Sequence, residues 1–122
     1  MARGTIKTTT EIIIGKGTKY QVTLVVVATG GKGFNAFIYG GENSHVGGVA
    51  MMSRKFEETH DFPKHDDSKV ANEVAKIIYD AFSEPVIVTA GVEIQDATDK
   101  DLAQLKTNYI AAARHFCATY DR

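Results

Sequence analysis

The stretch Tyr20-Gln21-Val22-Thr23-Leu24-Val25-Val26-Val27-Ala28 decides the fold. Tyr20, Val22, Leu24, Val26 and Ala28 recur with period two, the side-chain period of a β-strand, and form an almost wholly apolar face. Working outward, Ile6, Thr8, Thr10, Ile12 and Ile14 form an earlier period-two set, joined to the first stretch through Gly15-Lys16-Gly17. On the other side, Thr29-Gly30-Gly31-Lys32-Gly33 leads to a third strand. There Phe34, Ala36 and Ile38 alternate with Asn35, Phe37 and Tyr39. Two short glycine-rich connections leave no room for a crossover, so the three strands are predicted to form an antiparallel meander.

Beyond the meander, Val46 to Met52 reads as a fourth strand. From Ser53 to Asp67 the chain is polar without a clear period, and Pro63 argues against a continuous helix there. A connection of roughly 15 residues exceeds the usual loop range and is expected to be functional or mobile. Val70, Val74, Ile77, Ile78 and Ala81 then follow helical spacing, with Asp66, Asp67 and Ser68 offering capping oxygens before them. Pro85 ends this pattern ahead of a β-rich run from Val86 to Ile94. A last helix opens at Thr98 with Asp101 three residues on, an approximate capping box. It carries Leu102, Leu105, Tyr109, Ala112, Ala113, Phe116 and Tyr120 along one stripe.

The predicted order is therefore β-β-β-β-α-β-α: an α+β fold with a mostly antiparallel five-stranded sheet and two helices on one face. If the fourth and fifth strands are neighbours, a right-handed parallel crossover is the expected link between them. The other face would carry Gln21, Thr23, Val25, Val27, Phe37, Tyr39 and Ile87. That face is too apolar for full solvation, which predicts self-association through it.

A length of 122 residues suits a single domain over 1–122. A hydrophobic fraction of 43% and a net charge of -1 describe an ordinary globular protein without the electrostatic footprint of a nucleic-acid or membrane-surface binder. Cys117 is the sole cysteine, so no intrachain disulfide or cysteine-rich zinc site can form. The first residues contain no apolar run resembling a signal peptide, and the longest apolar run, Leu24 to Ala28, is too short to span a bilayer. A cytoplasmic location is expected.

The chemistry concentrates in Gly40-Gly41-Glu42-Asn43-Ser44-His45-Val46-Gly47-Gly48. Four glycines let the backbone approach a ligand closely, and successive amides could point into one concavity. Asn43, Ser44 and His45 add side-chain donors suited to a phosphate or a carbonyl-rich ring. The loop matches neither the P-loop nor the dinucleotide fingerprint, since no Gly-Lys-Ser/Thr and no helix follow it. A wide turn with glycines chosen for sterics is the alternative. His45 could contact an anion, transfer a proton or face water; only Glu42 lies near it in sequence as a catalytic partner, so ligand contact is favoured.

His60, Asp61, His65, Asp66 and Asp67 form a His/Asp-rich stretch. Its spacing fits no standard metal site, and capping accounts for Asp66 or Asp67, so no metal is expected. His65, beside a helix N-terminus, could welcome a phosphate, with Arg54, Lys55 and Lys64 as charge donors. Cys117 reads as a small buried residue, and Ser44 lacks a nucleophile-elbow context. Glu93, exposed at a strand end, completes the candidates, and an enzyme would require Glu42, His45 and Glu93 to converge.

Taken in order, the loop from Gly40 to Ala50, the stretch His65-Asp66-Asp67 before a helix, and Val86-Ile87-Val88-Thr89-Ala90-Gly91-Val92-Glu93-Ile94 resemble the prenylated flavin chaperone-like family. These are the small D-type proteins associated with UbiD-type hydroxyarylic acid decarboxylases such as gallate decarboxylase. The resemblance runs from about Thr8 to Leu105. It implies a non-catalytic helper that handles prenylated FMN or FMN, or helps mature such a decarboxylase as its client. It also implies a fold similar to that of small proteasome-assembly chaperones, which form dimers. Carried over residue by residue, it makes Gly40, Gly41, Asn43, Ser44, His45, Gly47, His65 and Gly91 the expected cofactor-binding positions. The alternative is a protein-binding assembly chaperone that acts through its apolar sheet face and has no small-molecule ligand.

Overall fold

The computed structural model describes residues 9–122, so the expected positions of Ile6 and Thr8 lie outside the described residues. Eight elements follow in order: β1 (Thr9–Ile14), β2 (Val22–Ala28), β3 (Phe34–Gly41), β4 (Gly48–Ser53), β5 (Phe56–Asp61), α1 (Ser68–Phe82), β6 (Val86–Glu93) and α2 (Asp99–Thr119). The predicted meander β1-β2-β3 is present, with Leu24 opposite both Ile12 and Ile38.

The sheet corrects the expectation in two respects. It has six strands, ordered β1-β2-β3-β6-β4-β5, because Phe56–Asp61 forms an antiparallel hairpin with β4 inside the stretch read as an irregular connection. This extra strand reverses the chain once more before α1. As a result β6 runs antiparallel to β4, not parallel to it, and parallel to β3. The α1 crossover instead joins β5 to β6, with β4 between them. All six residues of β5 are exposed, so the strand has no buried face to produce an alternating pattern. Edge pairing, not patterning, holds it.

Both helices cover one face of the sheet, α1 over β4 and β6 and α2 over β1 and β2. Between the layers lie Val22, Leu24, Val26, Ile38, Val74, Ile78, Val88 and Phe116, each essentially excluded from water. Burial of a large side chain of this kind contributes roughly 1.5–3 kcal/mol. The helix stripes match the expected positions except at Ala81, exposed in the last turn of α1, and Leu102, exposed in the first turn of α2. The capping box of α2 forms in full: Asp101 N–H donates to Thr98 Oγ1, and Thr98 N–H donates to Asp101 Oδ2, each at 3.1 Å. Tyr20 Oη donates to Asp101 Oδ1 at 2.7 Å, tying α2 to the β1–β2 connection and holding the Asp101 carboxyl well below the usual carboxylate range.

Among the described residues no helix covers the opposite face. Val25 pairs in register with Phe37 and Thr23 with Tyr39, and the Phe37 and Tyr39 rings lie 4.9 Å apart. Ile13 and Val27 are exposed on the same side. No helix among the described residues is long and apolar enough to cross a membrane.

Candidate functional site

The loop between β3 and β4 passes over the carboxyl end of β6, because β6 lies between these two strands. Its path is held by backbone hydrogen bonds. Gly41 N–H donates to Gln21, Glu42 and Asn43 N–H to Glu93, His45 N–H to Gly91, and Gly47 N–H to Ala90. These amides point into the protein frame, so the loop is not the anion nest that its glycines suggested. Only Gly40 and Gly41 of its four glycines have positive φ. The others provide clearance. A Cβ on Gly47 would overlap the Asp67 carboxylate, and one on Gly91 in β6 would overlap the His45 carbonyl.

This close passage aims His45 at the start of α1. Its Nδ1 lies 3.0 Å from the carbonyl oxygen of Asn43, an acceptor, so Nδ1 carries a proton. Its Nε2 lies 2.8 Å from Asp67 Oδ2. The second oxygen of Asp67 accepts from Val92 N–H at 3.1 Å. Burial works against the charged imidazole, but the Asn43 carbonyl, the Asp67 carboxylate and Glu93 outweigh it and raise the His45 pKa. The His65 ring lies 4.7 Å from that of His45, and His65 Nδ1 is 3.7 Å from Asp67 Oδ2.

The capping role expected of Asp67 is not what the structure shows. Asp67 is the residue before α1 but makes no side-chain cap. Asp61, at the end of β5, reaches across and accepts from Ser68 N–H at 2.9 Å. The helix terminus expected to receive a phosphate is therefore partly occupied by a carboxylate of the chain itself. Arg54 and Lys55 lie in the β4–β5 turn, at the end of that hairpin away from His45; of the three proposed charge donors only Lys64 borders the site.

A cleft of about 170 Å³ opens between His45, His65, Asp67, Glu93 and the first turns of α2. Asn43 Nδ2 donates to Glu93 Oε1 at 2.7 Å, and Glu42 Oε1 accepts from Gln95 N–H, so these two acids brace the loop from either side. Ser44 is exposed on the loop, Gly40 and Gly41 lie at the end of β3, and Gly91 lies under His45. Asp67 is the member of this cluster that sequence reasoning assigned to capping and did not pair with His45. It lies 22 positions from His45, and the surplus of capping residues at Asp66-Asp67-Ser68 was the one available signal. With both ring nitrogens of His45 facing acceptors, the pair lacks the free lone pair a general base requires.

A separate apolar hollow of about 320 Å³, lined by Phe34, Met51, Phe56, Pro85 and Ile87, lies at the opposite end of β6. It contains none of the titratable groups just described. Cys117 is half-buried with its thiol facing the Ile77 carbonyl, and burial pushes its pKa up, as befits an unreactive packing residue.

The chain is a two-layer α+β fold whose open sheet face sets Val25, Val27, Phe37 and Tyr39 among the polar Glu11, Thr23, Asn35 and Thr89. The chain belongs to the prenylated flavin chaperone LpdD-like family, whose model matches residues 16–121. No match is found among curated proteins. Among solved structures, a chain from a chaperone complex for yeast 20S proteasome assembly superposes with a TM-score of 0.53 at 11% identity, over 89% of this chain and 92% of that one. At this identity the likeness concerns the fold.

Proposed function

We propose that the protein is a non-catalytic helper that binds prenylated FMN at the His45 cleft and delivers it to, or aids the maturation of, a UbiD-type decarboxylase. The observation that carries the reading is the anchoring of His45 beside His65 at the carboxyl ends of the parallel strands β3 and β6, in a member of a prenylated flavin chaperone family. Crevices beyond the carboxyl ends of parallel strands are where open sheets commonly bind ligands. At about 170 Å³ the cleft is smaller than the roughly 300–1,000 Å³ that encloses a drug-sized ligand, so it would take one end of a flavin and leave the rest for a partner surface to cover. Titration of the purified protein with FMN and with reduced prenylated FMN, wild type against His45→Ala, tests this. Saturable binding of the prenylated form that is weakened in the variant is expected; no binding at high micromolar ligand would remove the reading.

A second reading is favoured by the open face of Val25, Val27, Phe37, Tyr39 and Ile87, which suits a protein contact. Here the face forms a homodimer or engages a client, and the loop is only structural. Light scattering on the purified chain distinguishes the two, since a strict monomer with intact flavin binding would leave the first reading alone.

A further inference from the structure

We propose that His45, His65 and Asp67 form a binding site for a divalent transition-metal cation, with open coordination positions facing the cleft. Their ligand atoms lie within 4.8 Å of one another. Metal–nitrogen and metal–oxygen bonds of about 2.0–2.2 Å place neighbouring ligand atoms roughly 3.0–3.4 Å apart. The observed separations from Asp67 Oδ2, 2.8 Å to His45 and 3.7 Å to His65, bracket that range. His65, the exposed member, is the one that would turn to bring all three atoms into that range.

Three further features support a cation here. The first is the orientation of His45. Because Nδ1–H is committed to the Asn43 carbonyl, Nε2 faces a carboxylate, and something positive must lie between them. In the ion-free geometry that is a proton; a metal ion bound by Nε2 and Oδ2 takes its place. The second is the supporting shell. A ligating histidine usually donates its other N–H to a carbonyl or carboxylate, and a ligating carboxylate is usually hydrogen-bonded in turn. The Asn43 carbonyl and the Val92 amide fill these roles. The third is charge. Asp66, Asp67 and Glu93 border the cleft against Lys64 and the two histidines, a poor setting for a bare phosphate or other anion. A divalent cation reverses that balance and could bridge the protein to a ligand phosphate or carbonyl oxygen.

Two histidines and one carboxylate suit zinc, iron(II) or manganese with positions left for exogenous ligands. Burial fits this arrangement: the Asp67 and His45 side chains are 7% and 17% exposed, His65 37%, so the set is closed behind and open in front.

The inference goes beyond the flavin reading and is tested without flavin. Protein stripped with a chelator is titrated with Zn²⁺ by calorimetry and with Co²⁺ by its visible absorption. One equivalent per chain is expected. Because loss of a supporting group alone costs about 10- to 100-fold, His65→Ala should weaken binding by more than that range. His65 is exposed, so this variant should keep the wild-type circular dichroism. His60→Ala, which alters the exposed His60–Glu58 pair, should bind as wild type. Absence of saturable 1:1 binding, or unchanged affinity in His65→Ala, would overturn the proposal. Metal binding without flavin binding would retire only the cofactor reading.

Discussion

Asp67 stands at the threshold of α1, yet commits its carboxylate to His45 at 2.8 Å and to the Val92 amide, leaving the helix to be capped by Asp61 from a neighbouring strand. The capping duty expected near Asp67 thus passes to an acid six residues earlier. Asp61→Ala should therefore cost about 1 kcal/mol, the usual cost of losing an N-cap acceptor. Urea denaturation checks this, and the variant should keep any ligand binding at His45.

Gly91 offers a sharper test of the loop's path. Alanine there would collide with the His45 backbone carbonyl, and overpacking of this kind typically costs 1–3 kcal/mol. Gly31→Ala is the control, since a Cβ there meets nothing within 4 Å and should change stability by less than about 0.5 kcal/mol. Thermal melts of the two variants should separate clearly. Equal stability would mean that the loop does not cross β6 at Gly91.

The C-terminal Arg122 gives a pH-dependent prediction. It pairs with Glu84 through Nη2 at 2.6 Å and Nε at 3.0 Å, and donates to the carbonyls of Thr29 and Gly31. The guanidinium, aided by the Gly33 amide and opposed by burial, lowers the Glu84 pKa below its ordinary 4.5. A depressed carboxyl pKa contributes stability above the unfolded value and loses it as pH falls through the folded one. The wild-type advantage over Arg122→Ala should be flat from pH 7 to 5, then shrink below about pH 4.5. Both side chains retain some exposure, so solvent screening keeps the effect small. An advantage that grows on acidification would contradict the assignment.

Association through the open face makes the fourth prediction. Val25→Lys places a charge opposite Phe37 at the centre of that face while leaving the helix-covered core untouched. The wild type should elute and scatter as a dimer and the variant as a monomer with a nearly unchanged melting temperature. A monomeric wild type would leave the apolar face without this explanation.

What was legible in the sequence follows from where burial is one-sided. β2 and β3 could be read because Leu24 and Ile38 are buried while their neighbours are less so, and the capping box at Thr98 and Asp101 is a purely local pattern. β5 was hidden because Glu57, Glu58, Thr59 and His60 face solvent on both sides, so only their pairing with β4 makes a strand. Missing that strand misassigned the direction of β6. At the site, His45 and His65 stood out by residue type and Gly91 by family resemblance, but the glycines were credited with freeing amides that the structure commits to carbonyls. The pairing of His45 with Asp67 depends on β6 lying beneath the loop, a tertiary relationship that local spacing does not encode.

The loop bound strand by strand over β6 has one further consequence. With the amides of Gly41, Glu42, Asn43, His45 and Gly47 committed to backbone carbonyls, it has little slack to swing as a gate, and its end of the sheet is a fixed seat. If the protein carries a flavin as proposed, a seat of this kind has no means of ejecting it. A change of conformation needs a ligand or partner that favours one state. Handover would then run downhill, decided by how much more tightly the recipient grips the same molecule and how well its surface meets the exposed remainder.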